Sequence, residues 1–424
     1  MRGRSVFRGV WPRSTRRLLD RLELLSLALG FRSVTFAAYP PIMRRALVAV
    51  LAAVVAGCGG SDSGTPTGGR SGTATGFDRD LGTRLQRTLD KDRRTYGIPG
   101  ASAAVIVSGK GLWAGASGRV SRGGAPVTAD TAFNVGSVTK TFVAALVLEL
   151  ADEGVLRLDD PLARWLPAYP RAERMTVRQL LNHTSGLADF VRNPAFREAA
   201  LRRSPKLATV EGVLSFTPAP IFEPGDRFAY SNAGYLLLGR VVERATSSTV
   251  GRELMRRLLD PLGLRSVVYA PEQALPARFS HGYVDVDGDG TSEDVLPLAG
   301  IRPGRPTSWF GWADGGVVAT ARDLARWGHA LYGGKVLAAV QLEQMLRFVE
   351  QGSVDYGLGV ERARISGHLA WGHTGNNIGY RAELRHFPRA GVTIAVVWND
   401  SRLEADLLLQ GLASAVLEES EPAG

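Results

Sequence analysis

The chain has 424 residues, of which 45% are apolar, and it carries a formal net charge of +10. This length allows two or three domains, and the apolar fraction suffices for a buried core. The charge is concentrated in residues 1–57, which hold ten arginines and two acidic residues, whereas the remainder has 41 basic and 39 acidic residues. Because that remainder is nearly neutral, its charge does not favour nucleic-acid binding, and we expect no nucleic-acid partner.

The start of the chain contains a segment typical of export. Met43, Arg44 and Arg45 precede the apolar residues 46–57. This apolar run of about a dozen residues is too short for a stable membrane span and predicts a secretory signal peptide. We therefore interpret residues 1–57 as an N-terminal extension and signal peptide, with Met43 expected as the true start.

The end of that segment, Val-Ala-Gly-Cys at residues 55–58, resembles the lipobox of bacterial lipoproteins. The resemblance implies that Cys58, the single cysteine, is lipidated, and a plain signal peptide is the alternative. Residues 58–77 are rich in Gly, Ser and Thr and predict a flexible linker. We expect an exported lipoprotein of the bacterial cell membrane that faces the exterior or periplasm.

Residues 78–424 have the composition of a folded domain. Leu81, Leu85 and Leu89 recur at four-residue spacing, which predicts an amphipathic helix over 78–96. Residues 101–107 and 112–117 predict two strands of a hairpin. The apolar run 141–150 then predicts a buried helix.

The rest of the domain is helical first and then returns to strands. Residues 150–335 predict short helices at 175–181, 233–245 and 324–332, the last one after a sequence that resembles a capping box at 320–323. Strands are expected at 379–387 and 392–398, followed by a helix over 401–417. Two terminal hairpins can share one antiparallel sheet, built from about 78–149 and 336–424. The expected fold is therefore α+β, with a mainly helical region over about 150–335.

Ser137 and Lys140 lie three residues apart at the start of the predicted buried helix, so they share one face. A serine hydroxyl becomes a good nucleophile when a neighbouring base takes its proton, and burial lowers the pKa of lysine enough for that role. The chain has five lysines and 46 arginines, and arginine cannot release its proton in a protein. The alternative is a surface lysine near a helix start.

Two further stretches carry chemically useful side chains. Tyr230 and Asn232 follow a tight turn, and a tyrosine can exchange a proton with a nucleophile if a nearby cation lowers its pKa. Residues 371–375, Trp-Gly-His-Thr-Gly, precede an alternating strand, and their glycines permit close approach of a substrate or another backbone. A half-buried tyrosine and a β-turn with an incidental histidine are the alternatives.

Together and in this order, Ser137-x-x-Lys140, Tyr230-Ser231-Asn232 and His373-Thr374-Gly375 resemble the serine penicillin-recognising enzymes. The nearest branch contains class C β-lactamases, D-alanyl-D-alanine carboxypeptidases and esterases. The resemblance covers about residues 80–418 and implies a β-lactamase/transpeptidase-like fold, an antiparallel sheet flanked by helices with a mainly helical second region.

The resemblance also implies roles for individual residues. Ser137 would be acylated, and Lys140 and Tyr230 would share the proton transfers, with the identity of the base left open. The substrate would be bound by Asn232 and by a strand edge at His373, Thr374 and Gly375. The backbone N–H groups of Ser137 and Asn376 would form the oxyanion hole.

One departure affects the expected specificity. His373 stands where class C β-lactamases usually have lysine, which is more similar to the carboxypeptidases and esterases. We therefore expect hydrolysis of amides or esters through an acyl-enzyme, on a small-molecule or peptidoglycan-peptide substrate. A class C-like β-lactamase and a non-catalytic penicillin-binding protein are the alternatives.

Other histidines and acids carry weaker signals. His183 precedes Thr184-Ser185-Gly186, which the resemblance treats as structural. Residues 285–296 resemble the start of a calcium loop but have Leu296 at position twelve, where an acid is expected, so an acidic surface hairpin is favoured. We expect no cofactor and no metal, and a monomer.

Overall fold

The computed structural model describes residues 77–286, 288–351, 354–402 and 407–418. The predictions made on residues 1–76, which are the signal peptide, the start at Met43, lipidation of Cys58 and the linker up to residue 76, lie outside the described residues. The first elements are α1 (Arg79–Thr95), β1 (Gly100–Val107), β2 (Gly111–Gly118), β3 (Ala132–Asn134) and α2 (Thr139–Asp152).

The middle of the chain is mainly helical, as its sequence predicts. It contains α3 (Val177–Leu181), α4 (Pro194–Leu201), α5 (Val210–Leu214), α6 (Asn232–Thr246), α7 (Val250–Leu254), β4 (Val268–Tyr269), β5 (Tyr283–Val284), β6 (Glu293–Asp294) and α8 (Val295–Ala299). The last part contains β7 (Val317–Thr320), α9 (Ala321–Tyr332), α10 (Ala339–Met345), β8 (Val349–Gln351), β9 (Val354–Tyr356), β10 (Glu361–Ile365), β11 (His368–Asn377), β12 (Tyr380–Phe387), β13 (Val392–Trp398) and α11 (Leu407–Leu417).

An eight-stranded sheet in the order β2-β1-β13-β12-β11-β10-β9-β8 forms the centre of the fold. The two ends of the sequence meet in it, because β1 pairs antiparallel with β13 from Ala101 opposite Trp398 to Val107 opposite Val392. This arrangement confirms the predicted antiparallel sheet shared by two terminal hairpins. Since both faces are covered by helices, β1 and β13 are buried along their whole length.

Each face of the sheet has its own apolar core. On one face, α1 and α11 pack together, and Leu81, Leu85 and Leu89 of α1 join Ile394 of β13 in one cluster. On the other face, α9 packs against β1 and β13. There Trp327 of α9 stacks on Phe142 of α2 with ring centroids 4.1 Å apart. This stack anchors α2, which carries Lys140, to the middle of the molecule.

Several element boundaries differ from the sequence predictions. The buried α-helix begins at Thr139, so Ser137, which the sequence places at the helix start, lies in the 3₁₀ turn just before it. Of the helix predicted over 401–417, residues 401 and 402 are not helical, and the described part runs from Leu407 to Leu417. Thr320 caps α9 by accepting from the Asp323 N–H, but the Asp323 carboxylate bonds Ser266 and does not complete a capping box. The sequence spacing predicts a hydrogen bond to the Asp323 side chain within its own helix end, but a partner distant in sequence takes that side chain.

The stretch 371–375 lies in the middle of the ten-residue strand β11, which precedes β12. It forms the strand that the resemblance implies and not the β-turn of the alternative. The segment 283–294 forms the expected surface hairpin, in which β5 pairs with β6. None of the described helices is both long and apolar enough to cross a bilayer.

Candidate active site

The predicted nucleophile lies at the entrance to helix α2. Residues Gly136–Val138 form one 3₁₀ turn that runs directly into α2, and Gly136 adopts a left-handed conformation with φ of 51°. A Cβ atom at Gly136 would lie 2.9 Å from the backbone nitrogen of Asn376, so this glycine permits strand β11 to approach the turn. Ser137 is therefore held between the helix and the edge of the sheet.

Lys140 lies one turn further along, and its ammonium nitrogen reaches three oxygen atoms. Nζ is 3.0 Å from Ser137 Oγ, 2.8 Å from Asn232 Oδ1 and 2.7 Å from the carbonyl oxygen of Asp314. The side chain is fully buried, and this burial lowers the pKa of Lys140 to about 8 in spite of the carboxylates of Asp314, Asp189 and Glu361. A sizeable fraction of Lys140 is therefore neutral at mildly alkaline pH.

Tyr230 completes the surroundings of Ser137. Its hydroxyl is hydrogen-bonded to Ser137, and its ring lies 5.0 Å from Nζ of Lys140. Burial raises the pKa of Tyr230 well above its ordinary value, so the phenol stays protonated at neutral pH. Of the two candidates for the base that the resemblance leaves open, Lys140 is thus the one whose pKa is shifted toward neutrality.

Asn232 is held by partners on both sides of its amide. Its oxygen accepts from Lys140, and its Nδ2 lies 3.2 Å from both carboxylate oxygens of Asp189. The sequence interpretation missed Asp189, which precedes a short 3₁₀ turn, Phe190–Arg192, without any motif of its own. Substrate-amide binding by Asn232 stays a prediction. In this structure the Asn232 side-chain amide links Asp189 to Lys140.

The strand edge expected beside Ser137 results from the pairing of β11. Strand β10 pairs with β11 only as far as Gly372, so the later residues of β11 have a free edge. The N–H groups of a strand alternate between its two sides. The Thr374 N–H points away from β12 and donates to Glu361, so the Asn376 N–H, two residues on, lies on the same side.

A glycine is also required at position 375, where strand β11 approaches the turn before α2. A Cβ atom at this position would lie 2.1 Å from the carbonyl oxygen of Val135, which no side chain tolerates. The backbone N–H of Asn376 is thereby brought beside the turn that carries Ser137. This geometry matches the pair of donors that an oxyanion needs.

His373 does not occupy the place that the resemblance implies. Its side chain is 1% exposed, with Nε2 2.8 Å from the Tyr356 hydroxyl and Nδ1 2.6 Å from the Thr374 carbonyl oxygen. Burial lowers the pKa of His373 to about 4, so the imidazole is neutral at pH 7. The expectation that this side chain lines the cleft was wrong, because both nitrogens are used beneath it.

His183 is a second buried histidine below the site. Its Nδ1 accepts from the Ser231 N–H at 3.2 Å, and its ring centroid lies 4.2 Å from that of Tyr230. The backbone at His183 is left-handed, with φ of 60°. The resemblance implies a structural role for the segment of His183. These contacts agree with that role, because they support the loop that carries Tyr230.

A cleft of about 860 Å³ opens in front of Ser137. Polar groups lie at its floor, where Ser137, Tyr230, Asn232 and Glu361 are exposed to it. Its other walls are mostly apolar and include the aromatic residues Phe190, Phe196, Trp309, Phe310 and Trp312. Such a cleft can hold an apolar organic group next to the nucleophile.

Within the described stretches, no group of three or more His, Cys, Asp or Glu side chains is placed to hold a metal ion. The polar groups at the cleft floor are a hydroxyl with a neighbouring amine and backbone donors, which suit acyl transfer.

The sequence also matches characterised proteins. The family model described as Beta-lactamase matches residues 85–416. The chain is 33% identical over 337 residues to Penicillin-binding protein 4 of Amycolatopsis lactamdurans, covering 74% of this chain and 84% of the relative. It is 34% identical over 236 residues to Esterase EstB of Burkholderia gladioli, covering 52% of this chain and 58% of that relative. The matched region thus spans little more than half of the esterase.

Solved structures share the fold. D-amino acid amidase from Ochrobactrum anthropi SV3 has a TM-score of 0.71 and 26% identity, with 81% of this chain and all of that chain covered. An octameric penicillin-binding protein homologue from Pyrococcus abyssi has a TM-score of 0.67 and 23% identity, over 80% of this chain and 77% of that one. The fold, the site and these matches agree, and the chain belongs to the beta-lactamase family of serine hydrolases.

Proposed function

We propose that this protein cleaves amide or ester bonds through an acyl-enzyme on Ser137, with Lys140 as the base. The observation that carries the proposal is the set of three oxygens around Nζ of Lys140. Asn232 Oδ1 and the Asp314 carbonyl oxygen are acceptors, so they take the two N–H groups of a neutral amine. The remaining lone pair then faces Ser137 Oγ, whose hydroxyl has a proton to give.

The reaction follows from these positions. Ser137 Oγ attacks the substrate carbonyl while its proton passes to Lys140, and the negative charge on the former carbonyl oxygen is held by the N–H groups of Ser137 and Asn376. The leaving group departs with a proton from the Tyr230 phenol, which the Lys140 ammonium restores. Water then attacks the ester on Ser137 by the same steps in reverse order, and the free serine is regenerated.

The acyl donor belongs to one of two groups. The relatives and neighbours named esterase and D-amino acid amidase support ester and amide substrates. The relative named penicillin-binding protein supports recognition of penicillin-like molecules, and the motif resemblance adds a D-alanyl-D-alanine peptide from peptidoglycan as a candidate. The apolar walls of the cleft favour an acyl donor with a bulky apolar group. A β-lactamase and a non-catalytic penicillin-binding protein are the competing functions.

The test compares Ser137→Ala with Ser215→Ala, a serine at the end of α5 whose hydroxyl bonds the Gly212 carbonyl. Both variants are assayed with short-chain esters, D-Ala-D-Ala peptides and a cephalosporin, and with a fluorescent penicillin as a covalent label. We expect Ser137→Ala to lose hydrolysis and labelling and Ser215→Ala to keep them. Normal hydrolysis in Ser137→Ala would refute the proposal, and labelling of the wild type without turnover of any substrate would favour the non-catalytic alternative.

We also propose that the protein is exported and held to the membrane through lipid on Cys58. The support is the sequence around residues 43–58 and the linker that follows. A single acyl chain binds a membrane only marginally, so the anchor needs the several chains of a mature lipoprotein. We expect Cys58→Ser to move the protein from the membrane fraction to the soluble fraction, and an unchanged distribution would refute the anchor.

The monomer expected from the sequence stays a prediction. The solved homologue from Pyrococcus abyssi is octameric, so size-exclusion chromatography with light scattering is the measurement that decides between a monomer and an assembly.

A further inference from the structure

Glu361, the first residue of β10, places a carboxylate at the floor of the cleft. Its side chain is 22% exposed and lines the cleft beside Thr374. Oε1 accepts the Thr374 hydroxyl at 2.9 Å, and Oε2 accepts the Thr374 N–H at 3.1 Å. Both donors that Thr374 offers along this free strand edge are therefore occupied by a carboxylate that belongs to the protein.

Glu361 shares its arginine partner with a second carboxylate. Nη2 of Arg385 lies 2.8 Å from Glu361 and 3.2 Å from Glu383, so one guanidinium is shared by two carboxylates. His373 contacts Glu361 at 3.4 Å but is neutral at pH 7.

Glu361 is ionised at neutral pH. Burial opposes its charged form, but His373 and Arg385, together with the hydrogen bonds from Arg385 and Thr374, lower the pKa of Glu361 to about 2. Lys140, which interacts electrostatically with Glu361, must be neutral to act as the base. In the reactive state Glu361 therefore presents a negative charge beside Thr374 that Lys140 does not offset.

We propose that Glu361 determines the specificity of this site by excluding substrates with a carboxylate near Thr374 and favouring neutral or cationic ones. The inference rests on the proposed acyl transfer at Ser137. A substrate carboxylate would have to displace Glu361 from Thr374 and would meet a like charge in a partly desolvated cleft, whereas an ester, a carboxamide or an ammonium group meets no such repulsion.

The test uses two pairs of substrates, each with an anionic member that has a carboxylate and a neutral member that has a carboxamide in the same position. In the first pair this group is on the leaving group, as in 3-carboxyphenyl and 3-carbamoylphenyl acetate. In the second pair it is on the acyl group, as in the monophenyl ester of succinic acid and the phenyl ester of succinamic acid. The ratio of kcat/KM for the anionic to the neutral member is measured in wild type and in Glu361→Gln. The glutamine can still accept from Thr374 but carries no charge.

We expect the ratio to rise roughly ten-fold in Glu361→Gln for at least one pair, the size that one charge interaction near a protein surface supports. Glu343→Gln is the matched control, because Glu343 is 69% exposed on α10 and does not line the cleft. Its ratio should equal that of wild type. An unchanged ratio for both pairs in a folded Glu361→Gln protein would overturn the inference.

Salt dependence tests the same inference without a variant. Screening weakens the interaction between exposed charges, so in wild type the anionic-to-neutral ratio should rise between 0.05 and 0.5 M salt. A ratio independent of salt would count against repulsion. A failure of the proposed function would give a different result, because Ser137→Ala would then hydrolyse the neutral esters as well as wild type does.

Discussion

At the scale of single residues, the position of Lys140 explains why its chemistry differs from that of a surface lysine. It is buried in α2, and each oxygen around Nζ is a defined acceptor or hydroxyl. Burial disfavours the ammonium form, while the nearby carboxylates partly restore it. The pKa of about 8 that results leaves the amine protonated in mild acid and neutral in mild base.

The rate should therefore rise with pH. Only neutral Lys140 can take the proton of Ser137, so kcat/KM for a neutral ester is expected to increase tenfold per pH unit below pH 7 and to level off above pH 9, with a midpoint near the pKa of about 8. Initial rates from pH 6 to 9.5 with an ester that does not titrate provide the measurement. A flat profile over this range would exclude Lys140 as the base.

Lys140→Arg separates the base from a fixed positive charge. Arginine stays protonated in proteins, so we expect a loss of about 10²–10⁴-fold in kcat/KM, as large as that of Lys140→Ala. Thermal unfolding of both variants checks that the fold survives. Substantial activity in the arginine variant would mean that the residue acts through its charge alone.

At the scale of elements, the site depends on how closely β11 approaches the turn before α2. The two segments meet backbone to backbone, at Gly136 and Gly375, where side chains would collide. Because the oxyanion donors belong to these two segments, their separation sets the geometry of catalysis.

Gly375→Ala should move strand β11 away from the turn before α2. Its Cβ would lie 2.1 Å from the Val135 carbonyl oxygen, so the strand must shift, and a displacement of about 1 Å at a reacting centre can cost on the order of 100-fold in rate. We expect kcat for an ester to fall by that order. The measurement is steady-state kinetics together with the melting temperature.

Gly334→Ala is the control for this substitution. Gly334 has a left-handed φ of 72° and no atom within 4 Å of the added Cβ. It should cost about 1–2 kcal/mol of stability without a loss of kcat. Equal kinetic losses in the two variants would show that the effect of Gly375→Ala is not local to the site.

At the scale of the whole molecule, buried histidines link stability to pH. Burial lowers the pKa of His183 well below its ordinary value and lowers those of His373 and His386 to about 4. The unfolded chain titrates these groups near pH 6.5, so between pH 6.5 and 4 it binds more protons than the folded chain. Stability is then fully present above pH 6.5 and is lost as the pH falls.

The free energy of unfolding should fall by up to about 1.4 kcal/mol per pH unit for each of these histidines. His386→Gln, which lies away from Ser137, should reduce that slope between pH 6.5 and 4. His368→Gln, a partly exposed histidine at the start of β11, should leave it unchanged. Urea unfolding at pH 7.5, 6 and 5 measures the slope, and equal slopes in wild type and His386→Gln would contradict the assignment.

The sequence by itself determined the features that depend on neighbours along the chain. The buried helix with Lys140, the strand 392–398 and the helix of Leu81, Leu85 and Leu89 follow from local sequence patterns. The order of the motifs indicated the family, and the two terminal hairpins indicated the antiparallel sheet.

The tertiary structure decided the protonation and exposure of the site residues, because both properties depend on groups that are far away in sequence. Lys140 meets Asn232 across 92 residues and Asp314 across 174, and neither Asp189 nor Glu361 belongs to a recognisable motif. His373 fits its motif in sequence, yet packing turns its ring beneath the cleft floor to Tyr356. A pKa and an exposed surface are set by the side chains and solvent around a group, and these exist only once the sheet and the helical region have packed together.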